Sequence, residues 1–272
     1  MHLQRILSAI VAVPFLYLLI LKGGALSFAV LVSVVGLIAL GEYYRIVFNK
    51  TTASRTGPVQ ITGYLSCLAI ICFSYTHPAH FGIIAGILVL NFLLSGTIAL
   101  FQFKDNPDIV DVVIKQVHGL VYIAVMISSL ILLRGEAQSG VAWVFYVLFL
   151  VAGCDTGAYY AGTYFGKHKL CPSVSPKKTI EGFLGGMIFV LVSGLLVKHW
   201  FFPSFSIVST IVFLFLVSVI GPCGDLYESI LKRTGGIKDS GSIIPGHGGI
   251  LDRIDALLFV APVAYFFQAY IF

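Results

Sequence analysis

Long apolar runs broken by short polar stretches set the pattern of this chain. Nine runs stand out: Ile6–Leu21, Ala25–Leu40, Ile61–Tyr75, Phe81–Phe103, His118–Leu133, Val141–Phe165, Ile180–Phe202, Ile207–Pro222 and Leu251–Ile271. About 20 apolar residues form a helix that crosses a bilayer. Helix is the required form, because backbone groups in lipid must be satisfied within their own segment. The regular alternation of a transmembrane barrel is missing. The pattern predicts an all-α integral membrane protein, a polytopic bundle of about nine transmembrane helices. Lys22, just before Gly23-Gly24-Ala25, interrupts the small-residue site that leader cleavage would need, so the first run is read as a span. The chain reads as a single transmembrane domain, 1–272. Its N-terminal helices, 1–140, would be scaffold and the place where a homodimer makes contact. Residues 141–272 would carry the chemistry.

Composition agrees. Of 272 residues, 58% are hydrophobic and only 11% charged, and mean hydropathy is +0.98. Soluble globular chains carry about 25% charged residues, so a water-soluble fold, a disordered chain and a disulfide scaffold are all excluded. The net charge of +5 does not point to nucleic acid, because the basic residues sit at the ends of apolar spans. The five cysteines form no CxxC pair and read as reduced thiols. Charge also orients the bundle. With the N-terminus cytoplasmic, fourteen of the 17 Lys and Arg residues fall on the inner side, leaving Lys22, Arg134 and Lys198 outside. That is the positive-inside bias expected of an integral membrane protein with its N-terminus in the cytosol.

The acids are still more lopsided, and carboxylates at membrane depth are costly and functional by default. Most of them lie between Asp155 and Asp255. Asp225 and Glu228 stand at i and i+3, sharing a face if the eighth span continues as a helix, and Lys232 follows Glu228 at i+4. A glycine-rich stretch with Lys238, Asp239 and His247 comes next. Asp252 and Asp255 then open the last span. Carboxylates beside Lys and Arg suit a hard divalent cation with phosphate, since magnesium commonly takes one or two carboxylates plus substrate oxygens. Glycines let backbone amides approach phosphate closely.

A second cluster, Ser175–Gly186, precedes the seventh span. Thr179 reads as a helix N-cap, with Lys177 and Lys178 where an anion would sit. Gly182, Gly185 and Gly186 read as close helix packing. Asp155, deep in an apolar run, calls for a lysine or a cation as partner. Glu42, at the inner end of the second span, reads as interfacial.

Ser229, Leu231, Lys232, Arg233, Lys238, Asp239, Gly241, Pro245, His247, Gly248, Gly249, Asp252, Arg253 and Asp255 together resemble the signature of the phosphatidate cytidylyltransferase family. Asp155-Thr156 with Ala158-Tyr159, and Ser175–Thr179 with Glu181-Gly182, are also similar to that family. Ala256 stands where the pattern has Ser, and Gly221-Pro222-Cys223 is an unusual lead-in. The resemblance implies CTP and phosphatidate as partners, membrane lipid around them, and Mg2+, with a second cation left open. It implies metal ligation by Asp225 and Asp252, completed by Asp155 or Glu228. Lys232, Arg233, Lys238 and Arg253 would neutralise phosphate beside Asp239. Substrate would be bound by Ser175, Lys177, Lys178, Thr179, His247, Gly248 and Gly249. Two other classes stay open on the residues alone: a CTP-dependent polyprenol or lipid kinase, and a cation-coupled transporter.

Overall fold

The apolar runs fold as helices. A computed structural model describes residues 14–49, 53–78, 80–135, 138–241, 243 and 248–272. The helices are α1 (residues 14–22), α2 (Gly24–Val47), α3 (Ala53–Thr76), α4 (Phe81–Gln102), α5 (Ile109–Gly119), α6 (Met126–Arg134), α7 (Gln138–Phe165), α8 (Ile180–Phe201), α9 (Ile207–Gly235) and α10 (Leu251–Tyr270). A π-helical turn, Leu120–Val125, joins α5 to α6. Among the described residues, seven helical segments are long and apolar enough to span a membrane: Gly24–Val47, Gly57–Thr76, Gly82–Gln102, Ile109–Arg134, Ser139–Phe165, Ile180–Phe201 and Ile207–Gly235. The protein is an all-α polytopic membrane protein. The first half of the first expected span, residues 6–13, lies outside the described residues, and its second half lies in α1. The last forms α10, whose opening carries Asp252, Arg253 and Asp255 and which falls outside those seven.

Several spans are longer than the sequence pattern predicts, the fifth and the eighth most of all. The fifth begins at Ile109 rather than His118, because Asp111 and Lys115 pair at 2.7 Å across one turn and so neutralise each other. The eighth does not stop at Pro222 but continues to Gly235. A proline removes one i→i−4 bond without ending the whole helix. The stop comes at Gly236, in the left-handed region at φ 71°, with Gly236 N–H donating to Arg233 O and Ile237 N–H to Lys232 O. These two bonds form a Schellman cap.

The chain divides into two compact units. One comprises Met1–Glu136 with Leu231–Arg253, the other Ala137–Ile230 with Ile254–Phe272. In the first, α3 packs on α2, α4 and the α5–α6 span. Its core is aliphatic, with Leu40, Ile70, Ile71, Leu120, Ile123 and Leu133 almost fully buried. Polar groups tie these helices internally. Asn91 Nδ2 donates to Ser66 Oγ at 3.0 Å, and Thr62 Oγ1 and Ser95 Oγ share a hydrogen bond at 3.0 Å. Such links replace the hydrophobic drive that lipid does not supply.

In the second unit, α7 and α8 approach backbone to backbone. A Cβ on Gly157 would press on the carbonyl of Gly185, one on Gly182 on the carbonyl of Ala158, and one on Gly186 on the carbonyl of Cys154. The packing role expected of Gly182, Gly185 and Gly186 is what the structure shows. The opposite end of this unit is aromatic: Trp143 contacts Phe213 edge-on at 5.6 Å, and Phe205 stacks on Phe272 at 4.3 Å. Between α7 and α8 lies a feature that an all-helical reading misses, a small antiparallel hairpin of β1 (Lys169–Cys171) and β2 (Ser175–Thr179). Its turn is Cys171-Pro172-Ser173-Val174, closed by Val174 N–H to Cys171 O at 3.2 Å. Proline after the first turn residue favours this geometry.

Candidate functional site

The second unit holds a cavity of about 560 Å3. Each wall comes from a different element. From α7 come Asp155 and, one turn on, Tyr159. The hairpin supplies Lys169, Leu170, Lys177 and Lys178; Thr179, Gly182 and Phe183 open α8, and α9 brings Pro222 and Asp225. Three ammonium groups thus face two carboxylates across a partly apolar chamber. Lys178 Nζ lies 2.6 Å from Asp225 Oδ2, and the Asp225 side chain keeps 34% exposure. The positive surplus suits a phosphate-bearing ligand, and the carboxylate oxygens are hard donors of the kind magnesium takes.

The walls are fixed by local bonds. Thr179 caps α8, its Oγ1 accepting from Gly182 N–H at 3.1 Å, as its sequence position implied. Lys177 and Lys178 lie on β2 just before that cap. Glu181, in the first turn of α8, accepts from Lys167 N–H at 3.0 Å, from His168 N–H at 3.2 Å and from His168 Nδ1 at 2.6 Å. Ile180 N–H donates to His168 O. The turn leaving α7 is therefore stapled to the start of α8, which sets where the hairpin lysines point. Ser175 pairs with Cys171 at the turn end of β2 and does not line the cavity. Lys169, Tyr159 and Phe183 line it although sequence reasoning did not place them in the site. The run of basic residues from Lys167 to Lys178 was the available signal for Lys169.

The first unit holds the glycine-rich stretch. Asp252, in the first turn of α10, is the centre of a tight arrangement. Its Oδ1 lies 2.6 Å from Lys232 Nζ, and its Oδ2 accepts from Ser240 N–H at 3.1 Å and Gly249 N–H at 2.8 Å. Only 13% of the Asp252 side chain is exposed. Gly248 sits at φ 82°, where a Cβ would press on Asp252 Oδ2. Two glycines of the motif thus serve this carboxylate, Gly249 by its amide and Gly248 by its conformation. Arg233, Lys238, Asp239 and Arg253 are exposed. Glu228 is fully buried in α9 and does not line the cavity, while Asp225, one turn earlier, does. His247 and Pro245 lie outside the described residues. Among those described, no three His, Cys, Asp or Glu side chains are grouped to hold a metal ion.

Glu42 departs from its expected interfacial place. It is only 6% exposed, and its carboxylate accepts from Ser240 Oγ at 3.2 Å, Ile250 N–H at 3.1 Å and Leu251 N–H at 2.7 Å. The reason is its position: the C-terminal end of α2 is covered by Ser240, Gly241 and residues 249–251 rather than facing water. Nothing in the sequence joins residues so far apart. The five cysteines are all free thiols, as expected.

Residues 3–271 match the pattern that defines the Cytidylyltransferase family. A phosphatidate cytidylyltransferase of Bacillus subtilis (strain 168) is 34% identical over 270 residues, covering 98% of this chain and 97% of that protein. The phosphatidate cytidylyltransferase of Staphylococcus aureus (strain COL) is 32% identical over 263 residues, 95% of this chain and 96% of its own. That of Staphylococcus haemolyticus (strain JCSC1435) is 33% identical over 269 residues, again 95% and 96%.

Proposed function

Because this chain belongs to the Cytidylyltransferase family, we propose that it is a phosphatidate cytidylyltransferase, which converts CTP and phosphatidate to CDP-diacylglycerol and pyrophosphate. The observation that carries the reading is the cavity in which Lys169, Lys177 and Lys178 face Asp155 and Asp225 within a helical membrane protein. A lipid phosphate oxygen forms a bond to the α-phosphorus of CTP, and the bond from that phosphorus to the bridging α–β oxygen breaks, releasing pyrophosphate. The nucleophile needs no strong base, since the second pKa of a phosphate monoester is about 6. The obstacle is repulsion between two polyanions.

The chain's own cations answer that repulsion. Lys177 and Lys178 hold phosphate oxygens in the cavity, with Lys169 closing the hairpin side. Lys232, Arg233, Lys238 and Arg253 neutralise phosphate along the glycine-rich stretch. Asp155 and Asp225 would hold a magnesium ion, and Asp252 keeps Lys232 in place. The ion would supply Lewis-acid stabilisation of phosphoryl charge. The site faces the cytosol, by the bias of basic residues, so that acyl chains stay in lipid while nucleotide arrives from water.

The test is turnover by purified full-length protein in mixed micelles with labelled CTP and defined lipids, resolved by thin-layer chromatography. CDP-diacylglycerol that appears only with phosphatidate and divalent cation supports the reading. Transfer of phosphate to a polyprenol, or no lipid product at all, overturns it.

A further inference from the structure

The C-terminal end of α2 and the turn after it present three polar side chains, Glu42 and Arg45 on one helix face at i and i+3, then Asn49 just past the C-cap. Each grips a different part of the glycine-rich stretch. Asn49 Nδ2 donates to Gly235 O at 3.1 Å, at the end of α9. Arg45 donates through Nη2 to Asp239 O at 3.2 Å and to Ser240 O. Glu42 takes Ser240 Oγ and the amides of Ile250 and Leu251, where α10 begins. The helix thus holds the start, middle and end of a segment nearly 200 positions away.

Glu42 is the keystone by geometry. A buried carboxylate is costly unless its lone pairs are satisfied, and here three donors and the N-terminus of α10 satisfy it. Two of those donors belong to the residues that shape Asp252. Ser240 gives its hydroxyl to Glu42 and its amide to Asp252. Leu251, which donates its amide to Glu42, directly precedes Asp252. Gly241 and Gly249 are small for the same reason, since a Cβ on either would collide with the Glu42 carboxylate. Glu42 and Asp252 therefore share a common frame, with Ser240 bonded to both.

We propose that Glu42 is a positioning residue for the cytidylyl transfer, holding Ser240, Gly249 and the first turn of α10 so that Asp252 and Lys232 keep the geometry the reaction needs. The inference rests on the phosphatidate cytidylyltransferase reading above. Glu42 touches no substrate in this role, so its loss lowers kcat more than it raises KM. Glu42→Gln keeps size but offers an amide NH2 where two N–H groups and a hydroxyl already donate. Disturbing an orienting partner of a functional carboxylate costs about 10- to 100-fold in activity.

The experiment compares wild-type, Glu42→Gln and Ser240→Ala proteins, full length in the same micelles. It reads kcat and KM for CTP, thermal midpoint, and hydrogen exchange of the peptides covering residues 249–251. Glu42→Gln is expected to lose about 10- to 100-fold in kcat with KM changed no more than about twofold, and to lose exchange protection at residues 250 and 251. Ser240→Ala, which removes one of the three donors, is expected to shift both readouts the same way but less. Wild-type kcat in Glu42→Gln, a KM effect without a kcat effect, or a kcat loss fully matched by global unfolding overturns the proposal. A wild-type protein that makes no CDP-diacylglycerol sinks the reaction instead. Exchange then still decides Glu42's hold on the loop, which lost protection supports and retained protection overturns.

Discussion

Two aspartate–lysine pairs of equal length do different jobs. Lys178 and Asp225 meet at 2.6 Å in the cavity of the second unit, and Lys232 and Asp252 meet at 2.6 Å in the glycine-rich stretch of the first. Asp225 is a third exposed. Asp252 is 13% exposed and also takes two backbone N–H groups. A pair facing an open chamber can exchange its lysine for another cation or yield it to a phosphate. A pair locked by backbone donors behaves as part of the frame, because breaking it leaves a buried charge without its partner. Distance alone would rate the two alike; burial and the remaining donors separate them.

The sharpest way to break the comparison is to neutralise each acid in turn. Asp225→Asn and Asp252→Asn are each expected to lower turnover by about a thousandfold at any magnesium concentration, as loss of a key electrostatic group does. Their stabilities should part. Asp252→Asn is expected to cost about 3 kcal/mol, because Lys232 loses its buried counter-charge. Asp225→Asn is expected to cost less than about 1 kcal/mol, as partly exposed pairs do. Chemical denaturation in micelles measures both. Equal stabilities would erase the distinction between an exchangeable and a structural pair, and near-normal turnover would remove the acid from the site.

Smaller effects sharpen the cavity side. Lys177→Ala removes one charged donor to phosphate and is expected to raise KM for CTP or phosphatidate about tenfold, with kcat less affected. Unchanged kcat/KM for both substrates would return this lysine to ordinary membrane anchoring. Glu181→Ala frees the turn at Lys167 and His168, and the added ordering cost on binding is expected to raise KM about threefold; steady-state kinetics decide this. Thr179→Ala removes the cap of α8 and is expected to destabilise the protein by about 1 kcal/mol, seen as a lower thermal midpoint.

Much of this was legible from residues in local order. The spans follow from apolar run length, since a lipid environment leaves the backbone no other way to bond. The Thr179 cap, the close approach of Gly182, Gly185 and Gly186, and the free cysteines follow from neighbours within a few positions. The charged motif from Ser229 to Asp255 named the chemistry without any coordinates.

What the tertiary structure alone decided are pairings across long stretches of chain. The turn at Pro172 and the hairpin's place beside Asp155 and Asp225 put Lys169 into the cavity wall. The fold buried Glu42 under Ser240, Gly241 and residues 249–251, 198 positions on in the case of Ser240, and made an interfacial-looking acid part of the frame. It also gave Asp225 one lysine and Asp252 a lysine and two amides, though both read from sequence as acids beside basic residues. Hydropathy and local propensity act over one or two helical turns. The surroundings of a carboxylate depend on which distant backbone donors the packed helices bring to it, and that is set by the whole fold.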